Sequence, residues 1–320
     1  MKLTLFTTTA LLGTALSLSS NLTSRIQARS LNRQSHPLNA TSGDDSGTQS
    51  GFRTANTAAI AYSNNWAGAA REKPLQGGPY TAVSATFTVP QPTAVPGGKA
   101  MQAGSAWVGI DGDTYSGAIL QTGVDFYVEN GKITNDAWFE WFPDYAYDFN
   151  IGINTGDVIV AMVKSFSPSE GVAIVENRST GEKATQTVKA PKAGATLVGQ
   201  NAEWIVEDFQ SGDSIVALAE FGGVTFTGCE AQAKNGEAVG LDGATIIELK
   251  QGNRVLTEVV VEGDKTLTKP QPQHAQAGDV PSSAAKRAAQ RTFAAAFMPD
   301  YGLGYGGIRI VNDARINSVR

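Results

Sequence analysis

The sequence predicts an all-β fold, a sandwich or a barrel built from antiparallel sheets. Between Tyr62 and Leu267 the chain divides into short runs rich in β-branched and aromatic residues. Turn signals separate those runs: Asn130-Gly131, Thr155-Gly156-Asp157, Thr180-Gly181, Asn235-Gly236 and Gly252-Asn253. Long apolar runs at the 3.6-residue helical period are absent from the same stretch. Closely spaced strands with short turns pair antiparallel, which leaves a sandwich or a barrel.

Taken in order, the chain opens with Lys2, an apolar run diluted by Thr and Ser from Leu3 to Leu18, and Ser19-Ser20-Asn21. Residues 1–20 read as a secretory signal peptide, too short for a membrane span, so a secreted, extracellular protein without membrane contact is expected. Residues 21–60 are polar and carry Arg25, Arg29, Arg33 and Arg53, which suggests a basic pro-segment; a plain linker is the alternative. Residues 61–267 form the strand-rich domain. Strands are expected at Tyr80–Val89, Ala103–Ile110, Ala118–Val128, Ala137–Phe142, Val158–Phe166, Val172–Glu176, Ala202–Glu207, Ser214–Phe221, Val224–Thr227, Thr245–Lys250 and Arg254–Glu262. Residues 268–320 form a C-terminal extension without an assigned role. It holds Pro270-Gln271-Pro272-Gln273, an Ala-rich stretch Ser283–Phe297 of helical composition, and a Gly-rich stretch from Tyr301 to Gly307.

Charge and composition narrow the function. The net charge of −5 hides 25 acidic against 13 basic residues in 61–267, with basic flanks on either side. An acidic body argues against nucleic acid as a partner, because phosphate binding needs clustered Lys and Arg. The single cysteine, Cys229, cannot form an internal disulfide and reads as a small buried side chain. The two histidines, His36 and His274, both fall outside 61–267. This removes Ser–His and Cys–His catalysis and a His-ligated zinc from the body. Carboxylates are left as its main proton-handling groups, with Lys and Tyr as the alternatives.

Strand alternation sorts those carboxylates by face. In Ile119–Val128, Leu120, Val124, Phe126 and Val128 share the core face, whereas Gln121, Asp125 and Tyr127 share the other. Trp107 and Asp111 point opposite to Val108 and Ile110, and Glu140 lies between Trp138 and Phe142 on one face. Aromatics interspersed with Gln and acids suit a groove for a polymer, peptide or sugar. A satisfied polar layer with ordinary core tryptophans is the plain alternative for each. The run Ala202–Phe209 concentrates Glu203, Glu207 and Asp208 around Trp204; an edge strand blunted by charge is the competing reading.

Several blocks in order then resemble the fungal glutamic peptidases, the eqolisins. They are Ser63-Asn64-Asn65-Trp66-Ala67-Gly68, Ser105–Gly112, Ile119–Phe126, Trp138–Asp148, Ala202–Phe209 and Gly243–Ile247. The resemblance runs from about Ser63 to Leu267. It implies a sandwich of two antiparallel sheets with lectin-like (concanavalin) architecture, an acid endopeptidase activity on protein or peptide substrates that needs no metal and no cofactor, and a catalytic pair at Gln121 and Glu203. Glu203 would be the general base for a water and then the proton donor to the leaving amine; Gln121 would stabilise the oxyanion. Trp107, Asp111, Asp125, Trp138 and Glu140 would be substrate-binding or supporting residues.

Two rivals stand beside this reading. One is a secreted carbohydrate-binding sandwich with Trp107, Trp138 and Trp141 as a stacking platform. The other is a glycoside hydrolase using two carboxylates, such as Glu140 and Glu203. The basic segment 21–55 is expected to dock on the acidic body as an inhibitor, and the protein is expected to be a monomer. Asn21, Asn39 and Asn177 fit the glycosylation pattern.

Overall fold

The computed structural model describes residues 33–41, 60–262 and 306–312; the expected signal peptide, the Asn21 acceptor and the Ser283–Phe297 helix lie outside them. Among the described residues, thirteen strands of five or more residues carry the fold. They are β1 (Trp66–Arg71), β2 (Tyr80–Thr88), β3 (Met101–Ile110), β4 (Ile119–Glu129), β5 (Lys132–Phe142), β6 (Val158–Ser167) and β7 (Glu170–Asn177). They continue with β8 (Glu182–Lys189), β9 (Ala202–Glu207), β10 (Gly222–Ala233), β11 (Thr245–Gln251), β12 (Glu258–Glu262) and β13 (Gly307–Asn312).

Two sheets face each other. The first runs β11-β1-β9-β3-β4-β5 and is extended at its edges by Arg254–Val255 and Tyr147–Asp148. The second runs β8-β7-β6-β2-β10-β13-β12. Their main pairings are antiparallel; Ile60–Ser63 adds in parallel to β11, and Ala217–Leu218 in parallel to β3. A small third sheet joins Arg33–Gln34, Gln210–Ser211 and Ser214–Ile215.

Alternation explains why these residues form these layers. Along β2, Tyr80, Val83, Ala85 and Phe87 are buried while the residues between them are partly exposed. Phe87 packs on Phe226 of β10 at 5.2 Å, and Trp204 of β9 reaches across the sandwich to donate its indole N–H to the Ser84 carbonyl at 3.0 Å. Each such aromatic, fully buried, contributes roughly 1.5–3 kcal/mol. Strands β3, β4 and β9 differ: they are buried on both faces nearly end to end. The core covers one face. The other carries a second cluster, Trp66, Trp107, Trp138 and Ile205 among others, on which Leu38 of the N-terminal segment packs.

At four places the structure corrects or adds to the sequence reading. Ser214–Phe221 is not one strand: Ser214–Ile215 and Ala217–Leu218 join different sheets, because the chain turns there to pass from the small sheet to the edge of β3. Glu182–Lys189 is a strand despite its polar, mostly exposed side chains, held by an eight-pair register with β7. Gly307–Asn312, in the segment expected only as an extension, sits within the second sheet. Asn177 is no glycosylation acceptor in the folded chain. It is fully buried, and its amide nitrogen donates to Gly152 O and to Asp157 Oδ2.

Candidate active site

Antiparallel register lines up one row of residues across the first sheet. Glu203 pairs with Ala70 on one side and Gly109 on the other; Gly109 pairs with Gln121, and Gln121 with Glu140. Gln121 and Glu203 therefore stand two strands apart, about 10 Å between Cα atoms at the usual ~4.8 Å strand spacing. Between them lies Gly109, which has no side chain to fill the gap. An added Cβ there would meet the Trp107 ring at 2.8 Å and Gln121 Cβ at 3.4 Å.

Gln121 and Glu203 are fully buried, and among the described residues neither the Gln121 amide nor either Glu203 oxygen has a hydrogen-bond partner. Buried polar groups are ordinarily paired, so this pair of side chains departs from the usual pattern. Burial raises the Glu203 pKa well above its ordinary value, and the charges of Asp111 and Asp113 add to this. The Asp113 backbone acts in the opposite direction without making a full hydrogen bond. Asp113 itself is raised to about 6 by burial and then by Glu72.

The other expected residues divide into two groups. Asp111 supports a loop: Oδ2 accepts from Val198 and Gly199 N–H at 2.7 and 2.9 Å, and Oδ1 from Gln200 and Asn201 at 2.6 and 3.3 Å. It holds a left-handed φ of 66°, and its loop leads straight into β9 and Glu203. Asp125, Trp138 and Glu140 instead surround Arg33 of the N-terminal segment. Asp125 takes Arg33 Nε and Nη2 at 2.9 and 3.0 Å, Glu140 Oε2 takes Nη1 at 2.9 Å, and Ser105 Oγ accepts from Nη2 at 3.1 Å. The guanidinium lies 3.7 Å over the Trp138 ring and 4.7 Å over Phe209. Trp107 packs edge-on to Trp66 and donates to Glu207 Oε2 at 3.0 Å.

Sequence reasoning missed Gly109, Ser105 and Phe209, and it gave no individual role to Glu207 or Arg33. The period-2 pattern around Trp107 placed Ser105 and Gly109 on the acidic face and was the available signal. Residues 33–41 run on from Arg33 across this face. Ser35 N–H donates to Glu140 Oε2, His36 N–H to Glu207 Oε1, Leu38 N–H to Gly112 O, and Thr41 N–H to Tyr62 O. A cavity of about 340 Å³ remains where this strap meets Asn64, Asn65, Glu207 and Asp208. No group of three or more His, Cys, Asp or Glu among the described residues is arranged to hold a metal. Cys229 is buried, its thiol pushed up by burial.

The class of this sandwich is shown by its relatives: it is a β-sandwich peptidase. The Peptidase A4 family matches residues 64–269, and the chain belongs to it, the family of the eqolisins or glutamic peptidases. The chain is 49% identical over 220 residues to Aspergillopepsin-2 of Aspergillus niger, covering 63% of this chain and 76% of that protein. It is 40% identical over 220 residues to Scytalidopepsin B of Scytalidium lignicola, covering 66% and 80%. The solved structure of scytalido-glutamic peptidase with a transition state analog inhibitor matches at a TM-score of 0.56 and 38% identity, over 62% of this chain and 95% of that one.

Proposed function

We propose that this chain is a secreted, monomeric acid endopeptidase that hydrolyses protein substrates with Glu203 and Gln121, and that residues 33–41 are its inhibitory strap. The single observation that carries this reading is the pair itself: two buried side chains flanking Gly109, without hydrogen-bond partners among the described residues. Glu203, ionised, takes a proton from a water held between it and Gln121, and the water oxygen bonds to the scissile carbonyl carbon. The carbonyl oxygen becomes an oxyanion and accepts a hydrogen bond from Gln121 Nε2. On collapse the C–N bond breaks, and protonated Glu203 delivers its proton to the leaving nitrogen. The raised pKa makes the ionised Glu203 a stronger base.

The strap covers the acidic face of the first sheet. Its nine residues add backbone hydrogen bonds and an ion pair to the face that substrate must reach. Arg33 brings one positive charge to an acidic body and pairs there with Asp125 and Glu140. The N-terminal apolar run supports export.

Hydrolysis of a denatured protein and of a polysaccharide by the strap-free chain, followed from pH 2 to 7, tests the reading. The range brackets the ordinary glutamate value of about 4.3. Acid-range proteolysis is expected. Cleavage of the polysaccharide alone would transfer the site to the glycoside hydrolase reading.

A further inference from the structure

The last strand of the second sheet comes from beyond the family match. That match ends at residue 269, yet Gly307–Asn312 lies between β10 and β12. Five register pairs join β13 to β10, from Gly222↔Asn312 to Phe226↔Ile308. Five more join it to β12, from Glu258↔Val311 to Glu262↔Gly307. Ile308 and Ile310 are fully buried in the main core, in the same cluster as Ala67 and Ala69 of β1. Strand β1 in turn pairs with the strand carrying Glu203. Among the described residues, β13 is the sheet partner of β12, so without it β12 has no neighbour.

The register also fixes where the connection begins and ends. Glu262 and Gly307 are directly opposite each other, the position that closes a β-hairpin. The 44 residues 263–306 are therefore an excursion between two points that a two-residue turn would join. Loop-closure entropy favours the short connection, by an amount that grows only slowly with length.

We propose that Gly307–Asn312 is a non-covalent clamp. It fills a strand-shaped slot between β10 and β12, backs the layer behind Glu203, and stays bound when residues 263–306 are cut or removed. The slot accepts an extended peptide with isoleucines two apart on its buried face, main-chain hydrogen bonds giving affinity and the two pockets giving selectivity. Its occupant is the chain's own C-terminal segment.

Three chains test this: the full chain, a chain in which Asn-Gly replaces 263–306, and a chain ending at Glu262. Thermal unfolding and solution mass are read, neither of which depends on peptidase activity. The Asn-Gly chain is expected to melt no lower than the full chain, and the Glu262 chain to melt at least about 5 °C lower. A synthetic peptide of residues 306–312 should restore the lost stability saturably, and its Ile310→Asp version should not. If the Glu262 chain does not fold alone, it is co-expressed with residues 306–320, and the two pieces should purify together. Failure to copurify, or a Glu262 chain as stable as the full one, overturns the proposal. So does an Asn-Gly chain that melts lower than the full chain. A full-length dimer that becomes monomeric on the Asn-Gly replacement would overturn the assignment to the chain's own strand.

Discussion

Gly109 decides what the dyad can do, because it is the one position in its row without a side chain between Gln121 and Glu203. Gly109→Ala would push a methyl to 2.8 Å from the Trp107 ring. Overpacking of this kind costs about 1–3 kcal/mol. The added methyl also displaces the Trp107 ring and presses on Gln121, whose Cβ lies 3.4 Å from it. The expected outcome is a fall of at least ~10-fold in kcat/KM with a modest drop in Tm, read by steady-state kinetics and thermal unfolding. Part of this site was legible in the sequence. Alternation alone put Gln121, Asp125 and Trp107 opposite the core side chains, and the register agrees. What alternation does not contain is which strands are neighbours. β9 lies between β1 and β3, far from both in sequence, so the Glu203–Gly109–Gln121 row exists only after folding. The same holds for Arg33, whose partners Asp125 and Glu140 are 92 and 107 residues away.

At the scale of elements, the strap is held by one buried cation and a series of backbone bonds. Removing one partner of a buried ion pair costs about 3–5 kcal/mol, because the remaining charges are left uncompensated. A free peptide of residues 33–41 should inhibit the strap-free enzyme, and the Arg33→Ala peptide should bind at least ~100-fold more weakly, read as the inhibition constant. Equal inhibition by both peptides would separate the strap from its ion pair. Strand legibility followed burial. β2 and β6 show the alternation of a half-buried sheet, and both were read from sequence. β8 was not, because its mostly exposed polar side chains leave no apolar signature and its place is set by backbone pairing with β7. β13 was hidden for a different reason. Its pattern is ordinary, but only pairing across a 44-residue excursion gives it a role.

Across the whole molecule, buried carboxylates tie stability to acid. Burial, the largest cause in each case, raises Glu207 to about 7 and Asp208 to about 8; Glu140 and Glu203 move in the same direction. A carboxylate whose folded pKa exceeds its unfolded value binds more protons in the folded state between the two values. Its stabilising contribution is thus complete below the unfolded pKa and is lost as pH rises through the folded one. The window implied by Glu207 and Asp208 runs from about pH 4 to about pH 8. Tm measured across that window should fall steadily as pH rises, and a flat or rising profile would contradict the buried-carboxylate account. A chain most stable in acid suits an enzyme that works there. The central claim is the dyad itself, and its most direct test is kcat on one peptide substrate for the strap-free wild type, Glu203→Gln and Gln121→Ala, each with its Tm. The account predicts unchanged folding, a loss of about 10²–10⁴-fold for Glu203→Gln and about 10²–10³-fold for Gln121→Ala. Folded variants that keep wild-type kcat would contradict it.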